Sequence, residues 1–372
     1  MKACFILATR PETIKCSPLI KLFIKKKINF FLIHTGQHYS FNLDKIFFKE
    51  LKLPLPKYNL HIRSKHPIYE AHHTGRMMIK LENIILKEVP DIVLVHGDTN
   101  TALAGALTTA KISTKRLIIN KEIKLGHIES GLRSFDKMMP EETNRIIVDH
   151  LSDVLFVPTK AAMKNLKNEN INNKKKSLVL CGNTVVDSLY QNLNIAKNKN
   201  ILDKLCLKKR KYFLVTLHRP ETVDNFKRLS DLLKTLQLLA TSYKIPVIYP
   251  MHPRTKKNIV NNNIKIPNNI KIIDPLSYFN FLNLESNAKI ILTDSGGVQE
   301  EACVLKVPCI TVRNNTERPE TVKIGANLIS GYKKNKILKC VKKMFNNKKK
   351  WKNPFGNGNS SNIILKYLRS KF

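Results

Sequence analysis

Acidic residues are scarce in this chain: 28 Asp and Glu stand against 65 Lys and Arg over 372 residues, a formal charge of +37 at neutral pH. So one-sided a balance suggests a polyanionic partner. The placing of the basic residues argues otherwise. They fall in scattered runs, at 25–27, 174–176, 208–211 and 348–350, among Asn and Ile. Neither a helix-turn-helix pattern nor an aromatic stacking motif accompanies them, so the charge reads as solvated surface and no nucleic-acid partner is expected. Long apolar runs are also missing. The stretch Ala3–Ala8 is too short for a secretion signal, and a membrane span needs about 20 apolar residues, so no membrane partner is expected. The seven cysteines form no C-x-x-C pair, and Cys4, Cys181 and Cys309 lie in apolar stretches, which implies reduced, buried thiols in a cytoplasmic protein. The dinucleotide fingerprint G-x-G-x-x-G and the phosphate loop G-x-x-x-x-G-K-[ST] are absent, which excludes the common signatures of redox and ATPase chemistry. His34 and His38 are four apart, but Gly36 between them marks a turn rather than a zinc-binding helix, and His72 and His73 are adjacent as on a surface. No metal is expected.

What the chain does contain is alternation. Short apolar runs, Cys4–Ala8, Phe30–Thr35, Ile92–His96 and Val154–Val157, alternate with helix-period segments, Ile14–Lys25, Glu70–Glu88, Thr101–Lys111 and Glu142–Leu151. That pattern belongs to a parallel sheet with crossover helices. It resumes with strands near Phe213–Thr216, Val247–Tyr249, Ile270–Ile273, Ile290–Thr293 and Cys309–Val312. The polar stretch 167–176 separates the halves. The expected architecture is α/β, with two Rossmann-like domains, 1–170 and 171–357, and a C-terminal helix, 358–372, returning to the first. Two such sheets would face one cleft with the carboxyl ends of their strands, where ligands of open α/β sheets bind.

The residues suited to chemistry sit at those strand ends. In LTDSGGVQEEA, Leu292–Ala302, an apolar strand meets Ser295, Gly296 and Gly297 and then a helix, so bare N–H groups and the helix dipole can face a diphosphate. Glu300 and Glu301 follow one turn later, where a carboxylate can accept from ribose hydroxyls. Arg10 and Lys15, in ATRPETIK, follow the first strand and can reach a phosphate. Three turns of the first half carry acids: Asp98 in VHGDTNT, Glu129 in GHIESGLRS, and Glu141 with Glu142 in MPEETNR, with Arg133 and Arg145 as local partners. Each acid alone also fits a capping role; crowded together, they offer proton donors and acceptors. In the second half, LHRPET places His218 and Arg219 to donate to a leaving diphosphate, and PMHPR adds His252 and Arg254. Arg318 suits a phosphate or a uracil edge, and Phe281 can lie along a base.

Taken in order, ATRPETIKCSPLI, HTGQHYS, VHGDTNT, GHIESGLRS, MPEETNR, GNTVVDS, LHRPETVDN, HPRT, LTDSGGVQEEA, NNTERPETV and NPFGNG closely resemble the non-hydrolysing UDP-N-acetylglucosamine 2-epimerase family over essentially the whole chain. The resemblance implies a GT-B-like pair of domains, a homodimer, and interconversion of UDP-GlcNAc and UDP-ManNAc without a cofactor, in supply of cell-surface polysaccharide. It makes Asp98, Glu129 and Glu141 the acid/base candidates and His218 the aid to the leaving phosphate. It assigns UDP to Arg10, Lys15, Phe281, Ser295, Gly296, Gly297, Glu301 and Arg318. It further suggests an activating second site built from Gln37, His38, Arg76, Glu142, Arg219 and His252. Three departures stand out: Ala8 where Gly is usual, Thr222 where Asn is common, and a longer stretch from Ser113 to Lys124. Other UDP-amino sugars, and a hydrolysing reaction that releases free ManNAc, remain alternatives, with nucleic-acid binding, which the +37 charge allows, a remote one.

Overall fold

The computed structural model describes residues 1–36, 47–62, 70–113, 121–171, 176–347 and 350–372. Strands covered on both faces by helices read as continuous apolar runs, and the runs found in the sequence become two all-parallel sheets. The first contains β1 (Lys2–Leu7), β2 (Asn29–His34), β3 (Tyr58–Asn59), β4 (Ile92–His96), β5 (Lys124–Ile128), β6 (Val154–Val157) and β7 (Ser177–Leu180). Its order is β3-β2-β1-β4-β5-β6-β7. Around it lie α1 (Arg10–Lys25), α2 (Glu70–Glu88), α3 (Asn100–Ser113), α4 (Pro140–Leu151) and α5 (Lys160–Asn168). Cys4, Ile6, Val93 and Val95 of the central strands pack against Met77, Leu81 and Ile85 of α2 and Ala102 and Ala106 of α3.

Helix α6 (Thr184–Lys197) leads into a second unit. Its sheet contains β8 (Phe213–Thr216), β9 (Val247–Pro250), β10 (Ile270–Ile273), β11 (Ile290–Thr293), β12 (Cys309–Thr311) and β13 (Asn327–Ile329), in the order β10-β9-β8-β11-β12-β13. The accompanying helices are α7 (Ile201–Lys204), α8 (Pro220–Val223), α9 (Phe226–Tyr243), α10 (Pro253–Asn261), α11 (Tyr278–Asn287), α12 (Gly296–Val304), α13 (Pro319–Lys323) and α14 (Lys334–Phe345). Both sheets are doubly wound, as the alternation predicts. Each reverses direction beside its first strand, between β1 and β4 and between β8 and β11, and such switch points are where open α/β sheets bind ligands.

The chain divides into Met1–Ser188 with Phe355–Phe372, and Leu189–Pro354. The first unit therefore runs past the Lys- and Asn-rich stretch at 167–176, because β7 beyond it pairs with β6. The last helix, α15 (Ser360–Lys371), packs on α1, and the Asp187 carboxylate accepts from the N–H groups of Ser360 and Ser361 at its start, at 3.2 and 2.8 Å. No described helix is long and apolar enough to cross a membrane.

Gly131 shows how tightly the end of β5 is built. Its φ is +82°, and a Cβ there would stand 2.5 Å from the Ala162 carbonyl oxygen. Gly131→Ala is expected to lose about 1–2 kcal/mol from the left-handed backbone alone, with the clash adding to it; urea denaturation of the two proteins measures the difference.

Candidate functional site

In the first unit, local capping sets the geometry at the β1 turn. Thr9 and Glu12 form a capping box at the start of α1, with the Glu12 carboxylate accepting from the N–H groups of Ala8 and Thr9 at 2.9 and 2.6 Å. Thr99, after β4, donates to the other Glu12 oxygen at 2.6 Å. The two switch-point turns are thereby joined. Ala8 is not among the residues with positive φ, so its Cβ costs nothing in backbone strain.

One turn into α1, the buried Lys15 places its ammonium 2.5 Å from Glu129 Oε2. Asn183 donates to the same oxygen at 3.4 Å, and His96 Nε2 stands 3.9 Å away. Burial brings the His96 imidazole down to about 4, so it sits beside this ion pair as a neutral ring. Glu129 itself is 9% exposed and has φ +72°, an uncommon conformation for a residue with a side chain. Register explains its neighbours: β4 and β5 pair His96 with Ile128, so the turns carrying Asp98 and Glu129 leave adjacent strand ends. Asp98 meets the Arg145 guanidinium at 2.7 Å, and Asn144 donates to its carbonyl at 2.9 Å.

Helix α4 supplies the remaining acids. Glu141, its second residue, is half-buried. Glu142 is fully buried and accepts from the N–H groups of Ser134 and Phe135, from the Ser134 hydroxyl and from Arg145. Its carboxylate therefore organises the 134–139 loop. Of the other positions assigned to a second site, Arg76 is exposed on α2 and His252 is exposed at the start of α10, while Gln37 and His38 lie outside the described residues.

The second unit gathers donors. β8 and β11 pair Thr216 with Thr293, which sets His218 beside Asp294. The Asp294 carboxylate accepts from the N–H groups of His218 and Arg219 at 3.0 and 2.9 Å and lies 3.1 Å from His218 Nδ1. Burial alone would push this carboxyl up, but His218 and the two N–H groups outweigh it and hold the group below its ordinary range. The imidazole is thus anchored through Nδ1 while the side chain stays 44% exposed, an arrangement that leaves Nε2 available to a ligand. Arg219 donates to the Asp294 carbonyl at 3.0 Å and stands 3.5 Å from Glu317.

Immediately after Asp294, Ser295 is the N-cap of α12, and Gly296 and Gly297 form its first turn. Glu317 packs against Gly296 and pairs with Arg313 at 2.9 Å. Arg318 is buried with its Nε 2.5 Å from Glu300, so this guanidinium, expected at a phosphate or a base edge, also ties its loop to α12. Phe281 is half-buried on α11, Glu301 is half-buried on α12, and Arg10 begins α1 with its guanidinium over the Phe47 ring. Asp294 lies inside a motif, yet nothing in the sequence distinguishes it as the anchor of His218. That role follows only from the strand pairing.

A family profile described as UDP-N-acetylglucosamine 2-epimerase matches residues 21–369. The chain is 51% identical to the UDP-N-acetylglucosamine 2-epimerase of Methanococcus maripaludis, over 98% of this chain and 97% of that protein. Its structure is similar to that of the Methanocaldococcus jannaschii UDP-GlcNAc 2-epimerase in complex with UDP-GlcNAc and UDP, with a TM-score of 0.90, 51% identity and full coverage of both chains. A galactosyltransferase, WaaB, shares the fold at 13% identity and a TM-score of 0.55, with both chains fully covered.

One further acid emerges from the packing. Glu285 lies one turn beyond Phe281 on α11 and is completely buried. Burial pushes its carboxyl well above the ordinary range, and the neighbouring Glu301 carboxylate pushes the same way. The folded protein therefore keeps a proton that the unfolded chain releases above about pH 4.5, and this contribution to stability falls as pH rises. Glu285→Gln, which stays neutral, is expected to melt at a higher temperature than the wild type at pH 8, with the gap closing toward about pH 4.5. Thermal unfolding followed by circular dichroism at both pH values checks this; parallel curves would contradict it.

Proposed function

The chain belongs to the UDP-N-acetylglucosamine 2-epimerase family, and on that premise we propose that it interconverts UDP-GlcNAc and UDP-ManNAc by elimination and re-addition of UDP. The proton at C2 of the sugar is not next to a carbonyl, so its removal has to be coupled to loss of a group from C1. A carboxylate takes that proton, the C–H electrons form the C1=C2 double bond, and the C1–O bond breaks to release UDP. The intermediate is 2-acetamidoglucal. UDP then adds back to C1 while a proton reaches the opposite face of C2. Carbon undergoes no net change of oxidation state, so the route requires no redox cofactor.

The observation that carries this reading is the division of charge between strand ends. The first sheet presents the carboxylates of Asp98 and Glu129, with Glu141 on the following helix. The second presents His218 anchored by Asp294, and the open N-terminus of α12. Asp98, Glu129 and Glu141 exchange the proton at C2, Lys15 pairs with Glu129 at 2.5 Å, and His218 stabilises the charge on the departing diphosphate. Ser295, Gly296 and Gly297 hold the phosphates, Glu301 the ribose and Phe281 the base, with Arg10 and Arg318 as further cations. The enzyme acts as a homodimer; the exposed Ile79 and Leu86, seven residues apart on one face of α2, support a surface for a second copy. Seven free cysteines, five of them buried, support work in the reducing cytoplasm.

Incubating the protein with UDP-GlcNAc in D₂O, without added cofactor, tests the reaction. The expected proton NMR result is UDP-ManNAc with deuterium at C2. Accumulation of UDP with free ManNAc would assign hydrolysis instead, and no change from either epimer would move the substrate to another UDP-amino sugar. Asp98→Asn and Glu129→Gln are each expected to lower turnover by about 10²–10⁴-fold while UDP affinity, measured by calorimetry, stays within about twofold.

A further inference from the structure

Behind Asp98 and Glu129 lies a buried network that the proton transfers above do not use. His127, on β5, is 1% exposed. Its Nε2 faces the Gly97 carbonyl at 2.8 Å and its Nδ1 faces Asp149 Oδ1 at 2.7 Å. A carbonyl only accepts, so Nε2 donates to it. Asp149, on α4, is completely buried, and its other oxygen accepts from the Gly131 N–H at 3.0 Å and from Arg133 Nη1 at 2.8 Å. Arg133 in turn makes a two-pronged contact with Glu169, at 2.7 and 2.6 Å. Burial alone would push the Asp149 carboxyl up, but His127 and Arg133 outweigh it and hold the group below its ordinary range.

Each end of this chain of hydrogen bonds meets a turn that carries a reacting carboxylate. Gly97 directly precedes Asp98. Gly131 follows Glu129 by two residues, and His127 precedes it by two. The two turns are in contact as well: the Gly97 N–H donates to the Ile128 carbonyl at 2.9 Å, and Glu129 Oε1 lies 4.0 Å from where a Cβ on Gly97 would stand. Glu129 is held with φ +72°, and such a conformation persists only where the surroundings over-determine it. The Glu129 and Ser130 N–H groups share a single acceptor, the Phe156 carbonyl, both at 3.2 Å. The shorter restraint on this turn is the Asp149 carboxylate at Gly131, at 3.0 Å, and His127 is what links that carboxylate to the neighbouring strand end.

We propose that His127 is a positioning residue for the epimerisation, its ring bracing the Gly97 carbonyl against Asp149 so that the turns of Asp98 and Glu129 keep a fixed separation and aim. The proposal rests on the reading that these two carboxylates exchange the C2 proton. A displacement of about 1 Å at a reacting group costs on the order of 10²-fold in rate, whereas the nucleotide contacts assigned to the second unit, and Arg10 at the start of α1, lie outside the braced turns. The role therefore separates kcat from KM, which a loss of general stability does not.

His127→Phe keeps a flat ring of similar size and removes both nitrogens, while His127→Gln restores an amide donor. In the coupled epimerisation assay, His127→Phe is expected to lose about 10²-fold in kcat, with KM within about threefold and UDP affinity unchanged. His127→Gln is expected to recover part of the loss. Amide hydrogen exchange at Ser130 and Gly131 gives a readout independent of turnover and is expected to quicken in His127→Phe. A folded His127→Phe with wild-type kcat overturns the proposal, as does a parallel fall of kcat and UDP affinity, or unchanged exchange at Gly131. An inactive wild type overturns the assignment of the reaction instead, and the exchange rates still decide whether the brace holds the turn.

Discussion

A carboxylate that is 9% exposed can carry its charge only with a countercharge within contact distance, and much of the first unit is arranged to provide one for Glu129. Lys15 supplies it from α1. Removing one member of a buried pair leaves an uncompensated charge and costs about 3–5 kcal/mol, so the site and the stability of the unit are not separable at this point. The ion pair fixes where α1 must start, because Lys15 reaches Glu129 only if the helix begins at the β1 turn. The Thr9–Glu12 capping box and Pro11 in the first turn secure that start. His96 stays neutral beside the pair, so the cluster adds no second positive charge there.

The second unit solves a related problem with different means. Asp294 is buried more deeply still, but its compensation comes mainly from His218 and from two backbone N–H groups. The result reverses the polarity of the chemistry. In the first unit a cation serves a carboxylate; in the second a carboxylate serves an imidazole that remains partly exposed. The second device stands where β8 meets β11, and the first joins the helix that follows β1 to the turn that follows β5, so one topology, used twice, positions a buried charge at the strand ends of each sheet.

Much of this was legible in the sequence because apolar runs and turn motifs are local. The strands around β1, β4, β8 and β11, and the acids and donors that follow them, could be read in order. The start of α1 was harder: periodicity suggested Ile14, whereas capping begins the helix at Arg10. β7 was overlooked because four residues behind a Lys-rich stretch carry little signal, although pairing with β6 secures them. Arg145 was legible as a local partner of the acids and meets Asp98, but the more distant partners were not. His127 and Asp149 are 22 residues apart and His218 and Asp294 are 76 apart; packing of α4 against β5 brings the first pair together, and strand register the second. Glu285 was invisible for the opposite reason: a buried acid on an apolar helix face looks, in sequence, like a surface residue.

The division of the chain has a consequence for its synthesis. The first unit is interrupted at Ser188 and resumes at Phe355, so α15 and the residues that Asp187 caps leave the ribosome only after the whole second unit. At about 5–20 residues per second that is a wait of roughly 8–33 s, during which the surface of α1 that α15 will cover has no partner. A translating ribosome thus carries a second unit free to fold beside a first unit still lacking its last helix. Completion of the first unit waits on synthesis of the second.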